Sequence, residues 1–325
     1  MRRKWFAVGT VVIVVAVGTF LWVWGSRYAP PAIPANNGYD DLLRAAGLVQ
    51  PLSVNWRDLS EQELAEYVAD NAAALALMDE ALERDSVVPL PWEHESEVEP
   101  LQLQLDRLAL VSRLGTAVLC AAKDAAARGD AELSAQHCVK LIRLARSMRN
   151  GGLVIDVLKS YAYQSAAATE LETLLPQLEG TACLQVAGEL SGDREETEPV
   201  ADLVQRDWEW NMNTHSLSHG AVLRFHASTL SQHLAPAVAS AEKAQRQIEL
   251  QMSILRARTA IRRFELAEGR LPENLDALAP KYLSPEELGQ LANDRVHYQP
   301  TGDQYLLFTE AESDATRDPP AAEAR

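Results

Sequence analysis

The chain has 325 residues, 47% of them hydrophobic, and a formal net charge of −16. Arg2, Arg3, Lys4 and Arg27 give the first 28 residues +4 and no acid, so everything beyond carries −20. Such a surface repels phosphate backbones and anionic lipid heads, which argues against a nucleic-acid partner.

Residues 5–24 read WFAVGTVVIVVAVGTFLWVW, with no charge and no strongly polar side chain. An α-helix needs roughly 20 such residues to cross a bilayer core. Trp5, Trp22 and Trp24 sit where amphipathic rings favour the headgroup level, and the basic tip before Trp5 predicts a cytoplasmic N-terminus. The run is longer than the apolar part of a cleaved signal peptide, and Gly25-Ser26-Arg27-Tyr28 offers no small-x-small cleavage site. The expectation is a single-pass inner-membrane anchor over 1–28, with the rest of the chain outside the cytoplasm.

Residues 29–37, APPAIPANN, read as a proline-rich linker. Asn37-Gly38 is a turn signal, followed by a short helix over 39–49. Ser60-Glu61-Gln62-Glu63 fits a capping box, with Leu59 and Leu64 placed as its hydrophobic staple. Leu64, Val68, Leu75, Met78 and Leu82 then predict one amphipathic helix that runs through Asn71 and ends before Pro89. Helices follow over 98–127 and 131–148, joined by the break Arg128-Gly129-Asp130, a spacing that predicts an antiparallel hairpin. Further helices are predicted over 153–175 and 181–190.

The acidic stretch 192–199 marks a seam, giving a helical-hairpin region over 38–191 and a second helical region over 192–310. The clearest helix of that second region spans about 236–267. Its Leu250, Ile254, Ala257, Ile261 and Phe264 step 4, 3, 4, 3, a heptad seam. A short helix is predicted within 271–282, and Ser284-Pro285-Glu286-Glu287 repeats the capping-box pattern, with Leu283 and Leu288 as its staple. Residues 295–299 and 304–309 alternate around Pro300-Thr301-Gly302-Asp303 and read as a β-hairpin. Residues 311–325 lack apolar anchors and read as disordered. The fold class is mainly α: anchor, linker, helical body and a small terminal β-hairpin.

Four histidines, His215, His219, His226 and His233, are spaced to share one helix face, and His215-x3-His219 is a pair that grips a divalent metal from successive turns. No HExxH accompanies them, so no general base is supplied. Cys120 and Cys138 each lie nine residues from Gly129, at matching heights on the hairpin, and are the candidate disulfide; the alternative is a pair of free core thiols. Asp207 and Glu209 are two residues apart and do not share a helix face, which disfavours a catalytic pair. Arg256, Arg258, Arg262 and Arg263 read as a solvated flank of the heptad helix, pairing with Glu265 or internal acids. There is no GxSxG, SxxK or glycine-rich phosphate loop. Neither a cofactor nor a catalytic constellation is indicated.

The segment 258–308, with AIRRFELAEGRLPENLDALAPKYL followed by VHYQPTGDQYLLF, resembles the C-terminal half of type II secretion pseudopilins. The glycine cleavage site and the Phe-Thr-Leu-Ile-Glu of that family are absent at this anchor, so pilus assembly is not implied. The pieces LALVSRLGTAVLCAAKDAAARGDAELSAQHCVKLIRLAR and GGLVIDVLKSYAYQSAAATELETLL resemble a family of bacterial single-pass membrane proteins with helical bodies and no assigned activity. That resemblance implies an envelope protein and carries over no site residues. Three functional expectations result: a membrane-anchored binding or scaffold protein that meets another envelope protein, a metal-dependent envelope enzyme using the His215/His219 face, and a secretion accessory.

Overall fold

Asn37 begins the first helix rather than a turn. The computed structural model describes residues 31–90, 99–192, 198–214, 227–302 and 304–309, the side chains of 192, 212, 213 and 227–237 excepted. Helix α1 (Gly38–Leu48) is capped by Asn37, whose side chain accepts from Tyr39 N. It buries Tyr39, Leu42, Ala45 and Ala46, one face of a 3.6-residue period. Gly38 is required by space: a Cβ there would stand 2.5 Å from Ser86 Oγ and 2.8 Å from Ala81 O.

The capping box forms at Ser60, and α2 (Glu61–Asp70) follows it. The predicted single helix then breaks at Asn71, and α3 (Ala72–Ala81) starts anew. Asn71 is buried, with φ −100° and ψ 7°. Its Nδ2 donates to Tyr67 O at 2.7 Å, and its Oδ1 accepts from Gln50 N at 2.8 Å. Asparagine competes with the helix for backbone groups, and the apolar stripe on either side carries no trace of that competition.

Helices α4 (Pro100–Ala127) and α5 (Ala131–Arg149) form the expected antiparallel hairpin. Gly129 takes φ +77°, and Asp130 caps α5 by accepting from Leu133 N at 3.0 Å. Ser134 Oγ donates across the hairpin to Ala122 O at 2.8 Å. Helix α6 (Val154–Leu174) packs along α5, a 3₁₀ turn (Leu175–Gln177) ends it, and α7 (Gly180–Gly192) crosses back. Leu114, Val118, Leu141, Ile142, Leu144, Met148 and Leu171 are buried in one core that also takes in α1, α2 and α3. Gly115 lets α4 and α6 approach; a Cβ there would lie 2.6 Å from Tyr163 Cζ.

After α8 (Val200–Thr214) comes α9 (Ala227–Glu268), which begins earlier than its heptad suggests. Helix α9 serves two cores. Ile248, Met252 and Leu255 join the main one. The heptad residues Leu250, Ile254, Ala257, Ile261 and Phe264 face a second, C-terminal core. The seam is therefore real, but its partner is a small module instead of a matching long helix.

That module holds a 3₁₀ turn (Leu275–Leu278) in place of the expected helix, α10 (Pro285–Asn293) under the Ser284 capping box, and strands β1 (Val296–Thr301) and β2 (Gln304–Thr309). The strands pair antiparallel from Val296↔Thr309 to Thr301↔Gln304, so the connection is tighter than the four-residue turn expected. Gly302 supplies the positive φ, +64°, that a two-residue hairpin turn needs. Tyr298, Tyr305 and Leu307 point to the core, and Leu306 points to solvent.

Among the described residues no helix is long and apolar enough to cross a membrane. The anchor expected over 5–24 and the tail 311–325 lie outside the described residues.

Candidate functional site

The structure distributes the candidate residues unevenly. His215, His219 and His226, together with the side chain of His233, lie outside the described residues. Among the described residues no three metal-ligating side chains gather. Cys120, Cys138 and Cys183 are buried free thiols, and the Cys120–Cys138 bond is not formed. Burial raises the Tyr67 phenol of α2, with Cys120 adding to the rise, and burial raises the Cys138 thiol, with Glu170 of α6 adding and Lys123 of α4 opposing.

The arginines of α9 depart from the solvated flank expected. Arg256 Nε donates to Leu190 O at 2.9 Å, and Arg258 pairs with Glu172 at 3.1 Å. Arg262 pairs with Glu265 at 2.8 Å, as expected, and also reaches Leu178 O at 3.3 Å. Arg263 lies over the Tyr282 ring at 5.5 Å. The first three pin α9 to α6, α7 and the turn between them; the fourth braces the C-terminal module.

The most concentrated chemistry surrounds Asp156, which residue patterns did not single out. Asp156 sits at the third position of α6 and is 1% exposed. Its Oδ2 accepts from Leu153 N at 2.8 Å and from Gln104 Nε2 of α4 at 2.9 Å. Gly152 makes the approach possible, since a Cβ there would meet Asp156 Cβ at 2.8 Å. Burial pushes the Asp156 carboxyl up to about 6, and Asp207 adds to the rise; the Leu153 and Gln104 bonds and Arg206 oppose it.

From α8, Arg206 enters the same junction almost wholly buried. Its Nε donates to Gly152 O at 2.8 Å, and its two terminal nitrogens hold Glu198 at 2.5 and 2.7 Å. Asp207 is also raised by burial, against the pull of Arg206. Trp210, one turn on, is fully buried and fixes α8 in place. Tyr39 closes the α1 side, its phenol raised by burial and by Asp156. The available signal in the sequence was an acid inside LVIDVL, flanked by aliphatic residues on both sides.

On the outside of the same helix lies an apolar strip. Ile155 is 44% and Leu158 38% exposed, and Ala162 continues the row. Helix α4 flanks α6 on one side, where Tyr163 Oη donates to Ser112 O at 2.6 Å. Helix α9 flanks it on the other, where Gln251 Nε2 reaches Thr169 Oγ1 at 3.2 Å. Leu101 and Leu105 share the edge of α4 that carries Ser112. Compared with known proteins, the chain matches no family model, no curated protein and no solved structure.

Proposed function

We propose that the chain is a membrane-tethered helical binding module of the cell envelope, which seats an amphipathic helix of a partner protein on the outer strip of α6. The run 5–24 is the tether, its basic tip cytoplasmic and the acidic body beyond the bilayer. The observation that carries the binding role is the exposure of Ile155 and Leu158, one turn apart on the same helix. Isolated exposed apolar residues are ordinary, but neighbouring large ones on one helix face suit an interaction surface. Apolar anchors at i and i+3 are how an amphipathic partner helix is gripped.

The test uses the full-length protein in its membrane, with a photo-crosslinking amino acid in place of Leu158. A discrete partner adduct is expected, lost on Ile155→Asp and retained on Leu306→Asp, an exposed apolar control in the β-hairpin. An adduct indifferent to Ile155, or none, would overturn the docking role. A reporter enzyme fused after Arg325 and active only in the cytosol would overturn the topology.

A further inference from the structure

Two buried acceptors at the α4–α6 contact have no donor. Asp156 Oδ1 and Gln104 Oε1 are each buried without a hydrogen-bond partner, although the same two side chains already share the Nε2-to-Oδ2 bond. Reversing the amide would set Oε1 against Oδ2, the oxygen that accepts from Leu153 N. That reversal would satisfy Oδ1 and still leave Oε1 without a donor, so in either orientation the pair lacks one hydrogen.

We propose that Asp156 and Gln104 close a cyclic acid–amide pair on one proton taken from solvent, and that this pair locks the α4–α6–α8 junction in mild acid. The proton sits on Asp156 Oδ1 and is donated to Gln104 Oε1. Both orphaned acceptors are satisfied at once, and no charge is left buried at Asp156.

The surrounding groups set the response. From α8, Arg206 faces the site as a permanent cation, already engaged by Gly152 O and Glu198. Asp207 faces it as a second raised carboxyl and favours proton uptake. From α1, Tyr39 remains a neutral phenol, with Arg107 of α4 and Asp40 acting on it. Asp156 is thus expected to take up the proton as pH falls, with Asp207 favouring the uptake.

The sign follows from linkage. In the folded state Asp156 titrates at about 6, above the ordinary aspartate value of 3.8, so the folded state binds the proton more tightly. The contribution is complete below the lower value and is lost as pH rises to the upper one. Hydrogen exchange on the full-length protein in detergent reads this directly. After correction for intrinsic exchange, opening of the segment 152–158 is expected to rise about tenfold per pH unit between 4 and 6, then level off. Asp156→Asn replaces the proton by an amide hydrogen and is expected to flatten that slope. A flat wild-type profile, or an Asp156→Asn profile as steep as wild type, would overturn the proposal. Should the variant not fold, the carboxyl carbon of Asp156 in the wild type decides by NMR: a midpoint near 6 supports the pair, and one near 4 removes it.

Discussion

Asn37 takes both backbone hydrogen bonds of Val87. Its Nδ2 donates to Val87 O at 2.8 Å and its Oδ1 accepts from Val87 N at 2.9 Å. The same oxygen caps α1 through Tyr39 N, and Gly38 N donates to Asp85 O at 2.9 Å. On the far side Asn150 repeats the device: Nδ2 donates to Ser86 O and its carbonyl accepts from Val88 N, both at 2.8 Å. The extended segment 85–88 is a two-sided backbone seam without a sheet.

Asn37→Ala leaves both Val87 groups unpaired and removes the cap. The expected cost is about 2–4 kcal/mol in urea unfolding. Asn37→Ser restores the cap alone and is expected to recover about 1 kcal/mol of it. Equal stability of the two variants would mean that the Val87 bonds account for the whole effect.

Asn71 makes the second prediction. A helix-favouring Asn71→Ala invites α2 and α3 to fuse, yet it strips Gln50 N of its partner. Buried loss outweighs propensity, which is worth a few tenths of a kcal/mol, so the variant is expected to be destabilised by about 1–3 kcal/mol. A thermal melt at or above wild type would show that the break at Asn71 is incidental.

What was legible in the sequence was local. Ser60 and Ser284 announce their helices within four residues, and Gly129 and Gly302 mark turns that need a positive φ. The hairpin of α4 and α5 and the terminal strands follow from such signals. The Asn71 break was hidden because the stripe from Leu64 to Leu82 keeps its phase across it. The Asp156 junction was hidden for another reason. Gln104, Asp156 and Arg206 are separated by about fifty residues each, and nothing periodic joins them. Periodicity reports which face is buried, not which polar groups meet there.

Gly115 and Tyr163 couple α4 to α6. An alanine methyl at 115 would lie within 2.6–2.9 Å of three ring carbons, and the ring is held by its bond to Ser112 O. Overpacking of this kind costs about 1–3 kcal/mol, against roughly 1 kcal/mol gained by replacing a helical glycine. Gly115→Ala is expected to be destabilising, and Tyr163→Leu in the same chain to recover part of the loss. Additive effects of the two substitutions in a double-mutant cycle would show that they do not touch.

The cysteines give a chemical prediction. Burial pushes the Cys120 thiol up to about 12, pushes Cys138 higher still, and raises Cys183 as well. Alkylation needs the thiolate and access, and all three sites withhold both. Iodoacetamide is expected to leave the native protein unmodified over hours at neutral pH. In denaturant without reductant, mass spectrometry is expected to count three alkylated cysteines, because Cys120, Cys138 and Cys183 are free thiols. A count of one would mean that Cys120 and Cys138 are bonded in the cell.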